Sequence, residues 1–405
     1  MTSSVSGLLP WSTRYAVQLG GEMRLESPIA TQSNEREWDN TLSINVTQPL
    51  LQGFGGAAGA DQRRAADLSA QAARARHARQ VETLLADVET AYLQLAQRDA
   101  EEAAARASLD RAVALLERNE ELHALERISE LDLISSRSGV AQRRRAVIEA
   151  RQLRRDAADR LVSLVYGEQA PHYLESLAPR LATAEVAIPV PTLPAPAESA
   201  DRAARSRRDV AASRLDRARQ ETQLGTARNL MLPDLSVGAT YTTTGNNTAR
   251  AFQFDPDRDG DFAGDGWSAS LSFSLPVLNR ERRGAYEQSR ALVRQADFLV
   301  SAAENLARVD ARIAHRAVRV GQEVLDEAAE ALDLARAHYD GERERQNLGL
   351  SDSFRLLQVE DEMAAAALAE IEARFNVFLA VTQYELAVGG ILLEKYDVPE
   401  YFISY

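Results

Sequence analysis

Two spacings of hydrophobic positions alternate along this chain. In the first, apolar and polar residues take turns, the mark of a strand with one apolar and one polar face. Over 15–25, Tyr15, Val17, Leu19, Met23 and Leu25 share one side, against Arg14, Gln18, Glu22 and Arg24. Over 41–47, Leu42, Ile44 and Val46 alternate with Thr41, Ser43, Asn45 and Thr47. Residues 235–241 set Leu235, Val237, Ala239 and Tyr241 against Ser236, Gly238 and Thr240. Residues 267–275 set Trp267, Ala269, Leu271, Phe273 and Leu275 against four serines. The second spacing is helical. Val81, Leu84, Leu85, Val88, Tyr92 and Leu95 recur at three- and four-residue steps, and so do Ile371, Phe375, Phe378 and Leu379.

Proline divides the helical tracts from the rest. None of the 13 prolines falls within 50–170 or 277–398, and proline is the residue a helix interior excludes. Each tract breaks once, around Leu125–Ser129 and around Asn347–Ser351. Each therefore reads as a helical hairpin, with one arm on the order of 100 Å and a returning arm of roughly 60 Å at 1.5 Å per residue.

The order strand, strand, proline, long helix, break, helix occurs twice. Pro10 matches Pro233, Trp38 matches Trp267, Pro49 matches Pro276 and Gly167 matches Gly389. Each pair is offset by about 225 residues, the length of a duplicated unit rather than a solenoid repeat. The predicted fold class is mainly α with a small β part. Its segments are strands in 1–48, a hairpin in 49–167, a Pro/Ala-rich extended connector in 168–200 and a helix in 201–232. Strands and a loop follow in 233–276, a hairpin in 277–390 and a tail in 391–405. The first repeat has no counterpart to the helix before Pro233. It reads as truncated, and residues 1–405 alone are expected to assemble poorly.

The repeat also disposes of a nucleotide-binding reading. Gly53, Gly55 and Ala58 spell G-x-G-x-x-A between a strand and a helix, the setting of a dinucleotide fingerprint. The second repeat fills that place with "NRERR", and the helix that follows is far too long for a βαβ crossover. Pro49, Gly53, Pro276 and Gly284 are expected to turn the chain from strand to helix instead.

Composition narrows the function further. A net charge of −13 argues against a nucleic-acid partner. The absence of cysteine excludes disulfides and thiolate metal sites. The five histidines are scattered singly, and no catalytic constellation stands out, so no enzyme, cofactor or metal is expected. No signal peptide is visible in the first residues. No apolar run is long enough for a membrane-spanning helix, which leaves a β-barrel open.

The stretches "QPLLQGFGG" and "LPVLNRERRGAY" at the strand-to-helix steps resemble those of the TolC-like outer-membrane efflux proteins. The tips "RISELDLISSRSGVAQ" and "GLSDSFRLLQVEDEMAAA" and the helix ends "ADRLVSLVYG" and "TQYELAVGG" resemble them too. The resemblance spans about residues 10–390. It implies four strands per protomer and a homotrimer closing a 12-stranded β-barrel in the outer membrane of a Gram-negative bacterium. The helices would continue as a periplasmic tunnel. It implies a passive conduit of a tripartite efflux pump or type I secretion system. The partners would be a periplasmic adaptor (membrane fusion protein), an inner-membrane pump and outer-membrane lipid. The rival reading is a soluble or periplasmic coiled-coil scaffold or adaptor.

By the same resemblance the periplasmic gate lies at the tips: Ser129, Leu131 and Asp132 in the first hairpin, and Leu350, Ser351, Asp352, Arg355 and Gln358 in the second. The family often carries aspartates where this chain has Arg355 and Gln358. That carboxylate ring is therefore absent, while Asp132, with Glu130 beside it, matches the family's tip aspartate. Ser129 and Ser351 are also expected to cap the returning helices. Two charged stretches complete the inventory. "DPDRDGDFAGDG" at 255–266 begins like a calcium loop, with Asp255, Asp257 and Asp259, but ends in Gly266 where such a loop needs Glu. It reads as an acidic surface loop, with weak calcium binding as the alternative. Arg143–Arg145, Arg151, Arg154 and Arg155 read as a solvated, salt-bridged helix face.

Overall fold

The computed structural model of the chain describes residues 2–9, 11–26, 35–54, 59–183, 192–247 and 264–399. Strands β1 (Thr2–Leu8), β2 (Arg14–Glu26) and β3 (Glu35–Pro49) lead into helices α1 (Ala60–Ala124) and α2 (Glu130–Tyr166). Helices α3 (Ala170–Leu174), α4 (Pro196–Ser206) and α5 (Arg208–Asn229) follow. Strands β4 (Asp234–Asn247) and β5 (Gly264–Ser274) lead into α6 (Arg280–Asn347) and α7 (Ser353–Val388), and then a last turn, α8 (Ile391–Lys395). Helices α1 and α6 run 65 and 68 residues, while α2 and α7 run 37 and 36. Contacts gather the chain into two units, residues 1–73 with 212–301 and residues 74–211 with 302–405, so the boundary falls within the long helices.

The first unit holds one antiparallel sheet in the order β1-β2-β3-β4-β5. Its register carries the alternation of single strands across the whole sheet, because directly paired residues project to the same face. One row runs Val5, Val17, Ile44, Tyr241, Trp267; the next includes Tyr15, Val46, Ala239 and Ala269. Val237 meets Leu271, and Leu235 meets Phe273. The opposite face has rows such as Gln18, Ser43, Thr242 and Asn45, Thr240, Ser268. One strand was not expected. β1 has only Val5 and Leu8 as large apolar residues, too few to show a period, yet it pairs with β2 from Thr2↔Gly20 to Leu8↔Arg14. Among the described residues the sheet thus has five strands, not the four its alternation predicts.

The second unit holds the helical cores. Ala91, Leu95, Ala158, Leu161 and Val162 of α1 and α2 pack with Ala170 and Ala178. Leu93 and Ala96 meet Phe375 and Phe378 of α7, whose rings sit edge to face at 5.7 Å. Ala307, Ala311, Ala314 and Val318 of α6 pack with Val381, Tyr384 and Val388 of α7, with Ala203 of α4 and with Val210.

Two expectations are corrected here. The connector is not uniformly extended. Residues 167–169 and 178–180 form 3₁₀ turns on either side of α3, because Tyr173, Leu174 and Leu181 are apolar enough to pack onto α1 and α2. The single helix expected over 201–232 is two helices. Arg207 interrupts it with an extended backbone (ψ 132°). Its buried guanidinium binds Asp209 at 2.7 Å and Asp310 at 2.7 Å. Burial disfavours that charge, but the two aspartates outweigh burial and raise the Arg207 pKa. The acidic loop at 255–266 lies almost wholly outside the described residues.

Candidate functional site

The tips of the two hairpins are built by the same local rules with different residues. α1 ends in a reversal in which Arg127 N–H donates to Leu122 O at 2.9 Å and Glu126 to His123 O at 2.9 Å. α6 ends likewise, with Leu350 donating to Arg345 O at 2.8 Å and Gly349 to Gln346 O at 3.0 Å. This closure needs one left-handed residue. Gly349 supplies it at φ 72°; in the first hairpin Glu126 takes it at φ 56°, against the preference of a residue with a Cβ.

The helix starts follow. Ser129 caps α2 as predicted. Its hydroxyl accepts from Asp132 N–H at 3.2 Å, and the Asp132 carboxylate accepts the Ser129 N–H at 3.3 Å and its hydroxyl at 2.6 Å. This is a reciprocal capping box, so Asp132, the tip carboxylate, is engaged within its own turn. Ser351 does not cap α7. Asp352 does, accepting from Arg355 N–H at 2.7 Å, and Ser351 instead donates to Glu342. The cap shifts by one residue because Asp352 carries the negative charge that a helix N-terminus favours. The Arg355 guanidinium donates to Gln358 at 3.1 Å. Leu131, Ile134, Leu348, Leu350 and Phe354 all stand more than half exposed around these turns.

Behind the tips lie buried polar contacts that the sequence did not announce. Asn119, 1% exposed, donates to Ser136 at 2.6 Å and Ser353 at 2.9 Å, and Gln346 also reaches Ser353 at 3.2 Å. Four helices thus share one polar knot. Further along, Arg143 of α2 is buried, contrary to the solvated face expected for it. It pairs with Glu360 and with Asp361 at 2.7 Å, and donates to Ser108 at 3.2 Å. Glu360 also accepts from Ser108 at 2.7 Å and Arg111 at 3.1 Å. Burial raises the Asp361 pKa, Arg143 opposes that, and Glu360 adds to it. The partners on opposite hairpins stand 217 to 252 residues apart in sequence, so only a lone Asn or Ser at a core position could have signalled them.

The strand-to-helix corners are distinct from the tips. Pro49 is the last residue of β3. Gly53, at φ 84°, directs its N–H to Asn229 Oδ1 at 2.6 Å. Pro276 lies between β5 and α6. Gly284 falls inside α6, and the left-handed residue at that step is Asn279 at φ 39°. Arg282, from the stretch that replaces the glycines, donates to Gln52 at 2.9 Å and Leu230 O at 3.2 Å. Gly55 and Ala58 lie outside the described residues. Among the described residues no group of His, Asp and Glu is disposed to hold a metal, and no helix is long and apolar enough to cross a membrane.

This architecture, a small sheet with one apolar face and two long helical hairpins, is similar to that of several solved outer-membrane channels. The chain aligns with the outer-membrane channel OprN at TM-score 0.70 and 18% identity, covering 96% of this chain and 82% of that one. It aligns with the outer membrane protein VceC of Vibrio cholerae at TM-score 0.72 and 16% identity, covering 94% and 88%. With the Campylobacter jejuni CmeC outer membrane channel the TM-score is 0.69 at 16% identity, covering 94% and 78%. At these identities the likeness establishes the fold. No family model matches the chain. No curated protein matches it either.

Proposed function

We propose that the chain is one protomer of a homotrimeric outer-membrane conduit, the passive exit duct of a tripartite efflux pump or type I secretion system. The observation that carries this reading is the sheet's bare apolar face. Trp267, Leu271 and Phe273 are 83%, 71% and 63% exposed, Val5 is 66% exposed, and Tyr15, Ile44, Val46, Val237 and Tyr241 are open as well. In water such a face is a large unfavourable patch; in lipid it is the outer wall of a barrel. A membrane also requires every strand edge to be paired, which a lone five-stranded sheet does not achieve. Three copies closing on each other, four strands from each in a 12-stranded barrel, satisfy that requirement. A coiled-coil scaffold or adaptor has no use for this face.

The tip residues Ser129, Leu131, Asp132, Leu350, Ser351, Asp352, Arg355 and Gln358 then form the periplasmic mouth. The exposed leucines and Phe354 offer the apolar contacts an adaptor would cover, and an inner-membrane pump would supply the energy. The duct performs no chemistry. The test is to express the chain behind a signal peptide and fractionate the envelope. The expected result is a heat-modifiable species in the outer membrane that needs detergent for extraction and shows three-fold tubes by electron microscopy. A fully soluble chain that stays soluble when Trp267 and Leu271 are both replaced by Ser, with unchanged behaviour, would overturn the reading.

A further inference from the structure

Four arginines of the first hairpin, Arg106, Arg151, Arg154 and Arg155, gather at one place on its surface. α1 presents Asp99, Glu102 and Arg106 at three- and four-residue spacing, so they share one face. α2 brings Arg151, Arg154 and Arg155 opposite. Between them lies a recess of about 400 Å³, with Pro179 also lining it.

Two carboxylates serve three of these four guanidiniums, with Arg154 also 3.7 Å from the second oxygen of Glu102. Asp99 takes the Arg154 Nε and, on its other oxygen, the Thr183 N–H at 3.2 Å and hydroxyl at 2.6 Å. Buried Glu102 accepts from Arg106 at 2.5 Å and Arg151 Nε at 3.2 Å. Arg154 spends a terminal nitrogen on Leu181 O at 2.5 Å. Several donors remain unused. Both terminal nitrogens of Arg151 have no acceptor among the described residues, and Arg155 makes no hydrogen bond or ion pair there. The recess therefore keeps two uncompensated positive charges and a set of planar N–H forks, held in place by carboxylates that cannot neutralise them.

Guanidinium forks match phosphoryl oxygens in geometry as well as charge. We propose that this recess binds a phosphoryl group, with Arg151, Arg155 and Arg106 contacting the oxygens and Arg154 positioned by Asp99 as the fixed floor. The group could be free in solution or carried on a lipid headgroup.

Calorimetric titration of the purified full chain at low ionic strength, with inorganic pyrophosphate and separately with a short-chain phosphatidylglycerol, tests this. One saturable site per chain is expected, weakening as salt rises. Arg155→Gln, a change to a side chain with no protein partner, should weaken it by about tenfold, the scale of a charged hydrogen bond, and so should Arg151→Gln. Arg145→Gln, an exposed arginine paired with Glu149, should leave it unchanged. Circular dichroism melting confirms that each variant folds. Saturation by pyrophosphate assigns a soluble source, and saturation by the phospholipid alone assigns the headgroup. No saturable binding by either probe would overturn the proposal. So would parent-like binding by both Arg155→Gln and Arg151→Gln, or an equal loss in Arg145→Gln.

Discussion

Arg143 shows how much a single buried side chain can be asked to hold. Its guanidinium reaches α1 through Ser108 and α7 through Glu360 and Asp361. Arg143→Ala would leave Glu360, 3% exposed, with Ser108 and the partly exposed Arg111 as its partners. Breaking a buried pair from one side costs roughly 3–5 kcal/mol, and Arg111 places this case at the lower end. A fall in melting temperature by circular dichroism is expected, and Arg143→Met with Glu360→Leu should recover most of it, because the buried charge is then gone from both sides. Tyr396 makes a second, spectroscopic prediction. Burial, and then its hydrogen bond to Glu89 at 2.8 Å, push its phenol up to about 12. The folded state favours the neutral phenol. Its contribution to stability is therefore complete below the ordinary tyrosine value and is lost as pH rises through about 12. Ultraviolet titration should show one late-ionising tyrosine in the parent that is missing from Tyr396→Phe. A parent whose described tyrosines all ionise together would contradict the assignment.

At the scale of elements, what the sequence disclosed and what it hid follow one rule: periodic residues are legible, and isolated ones are not. The strand alternations at 15–25, 41–47 and 235–241 fall within strands, the one at 267–275 runs one residue past the end of β5, and the helices end where the spacing breaks. β1 escaped because seven residues with two apolar side chains carry no period. The interruption at Arg207 escaped because it depends on Asp310, a hundred residues away. The cap of α7 was misplaced by one residue because Ser351 and Asp352 are both good caps by residue type, and the charge that favours Asp352 at a helix N-terminus was not weighed. The sheet yields two predictions at this scale. Leu271→Arg puts a charge on the apolar face and should cost about 2–4 kcal/mol if that face meets the bilayer midplane, seen as loss of outer-membrane incorporation. Ser270→Arg, on the opposite face, should be tolerated. β1 covers the edge of β2 that closure by another copy would require. Deleting residues 2–8 should therefore raise the yield of the trimer, and an unchanged or lower yield would show that β1 belongs in the assembled sheet.

The whole molecule is governed by a second apolar face on α6. Its buried face, Ala307, Ala311, Ala314 and Val318, packs on α7. A different set, Leu292, Leu299, Leu306, Ile313 and Val320, recurs at seven-residue spacing, and all five stand 37% to 58% exposed. At 3.6 residues per turn the two faces lie roughly 110° apart round the helix, so one packing partner cannot cover both. A strict seven-residue repeat fits a left-handed supercoil with another helix, and each of these side chains, already about half covered, forgoes roughly half of the ~1.5–3 kcal/mol that full burial supplies. Leu306→Lys with Ile313→Lys should leave the protomer's own helices intact by circular dichroism while shifting mass photometry in detergent from trimer towards monomer. A trimer that tolerates both lysines would mean that the seam faces the lumen or a different protein, and the assembly would then rest on the sheet alone.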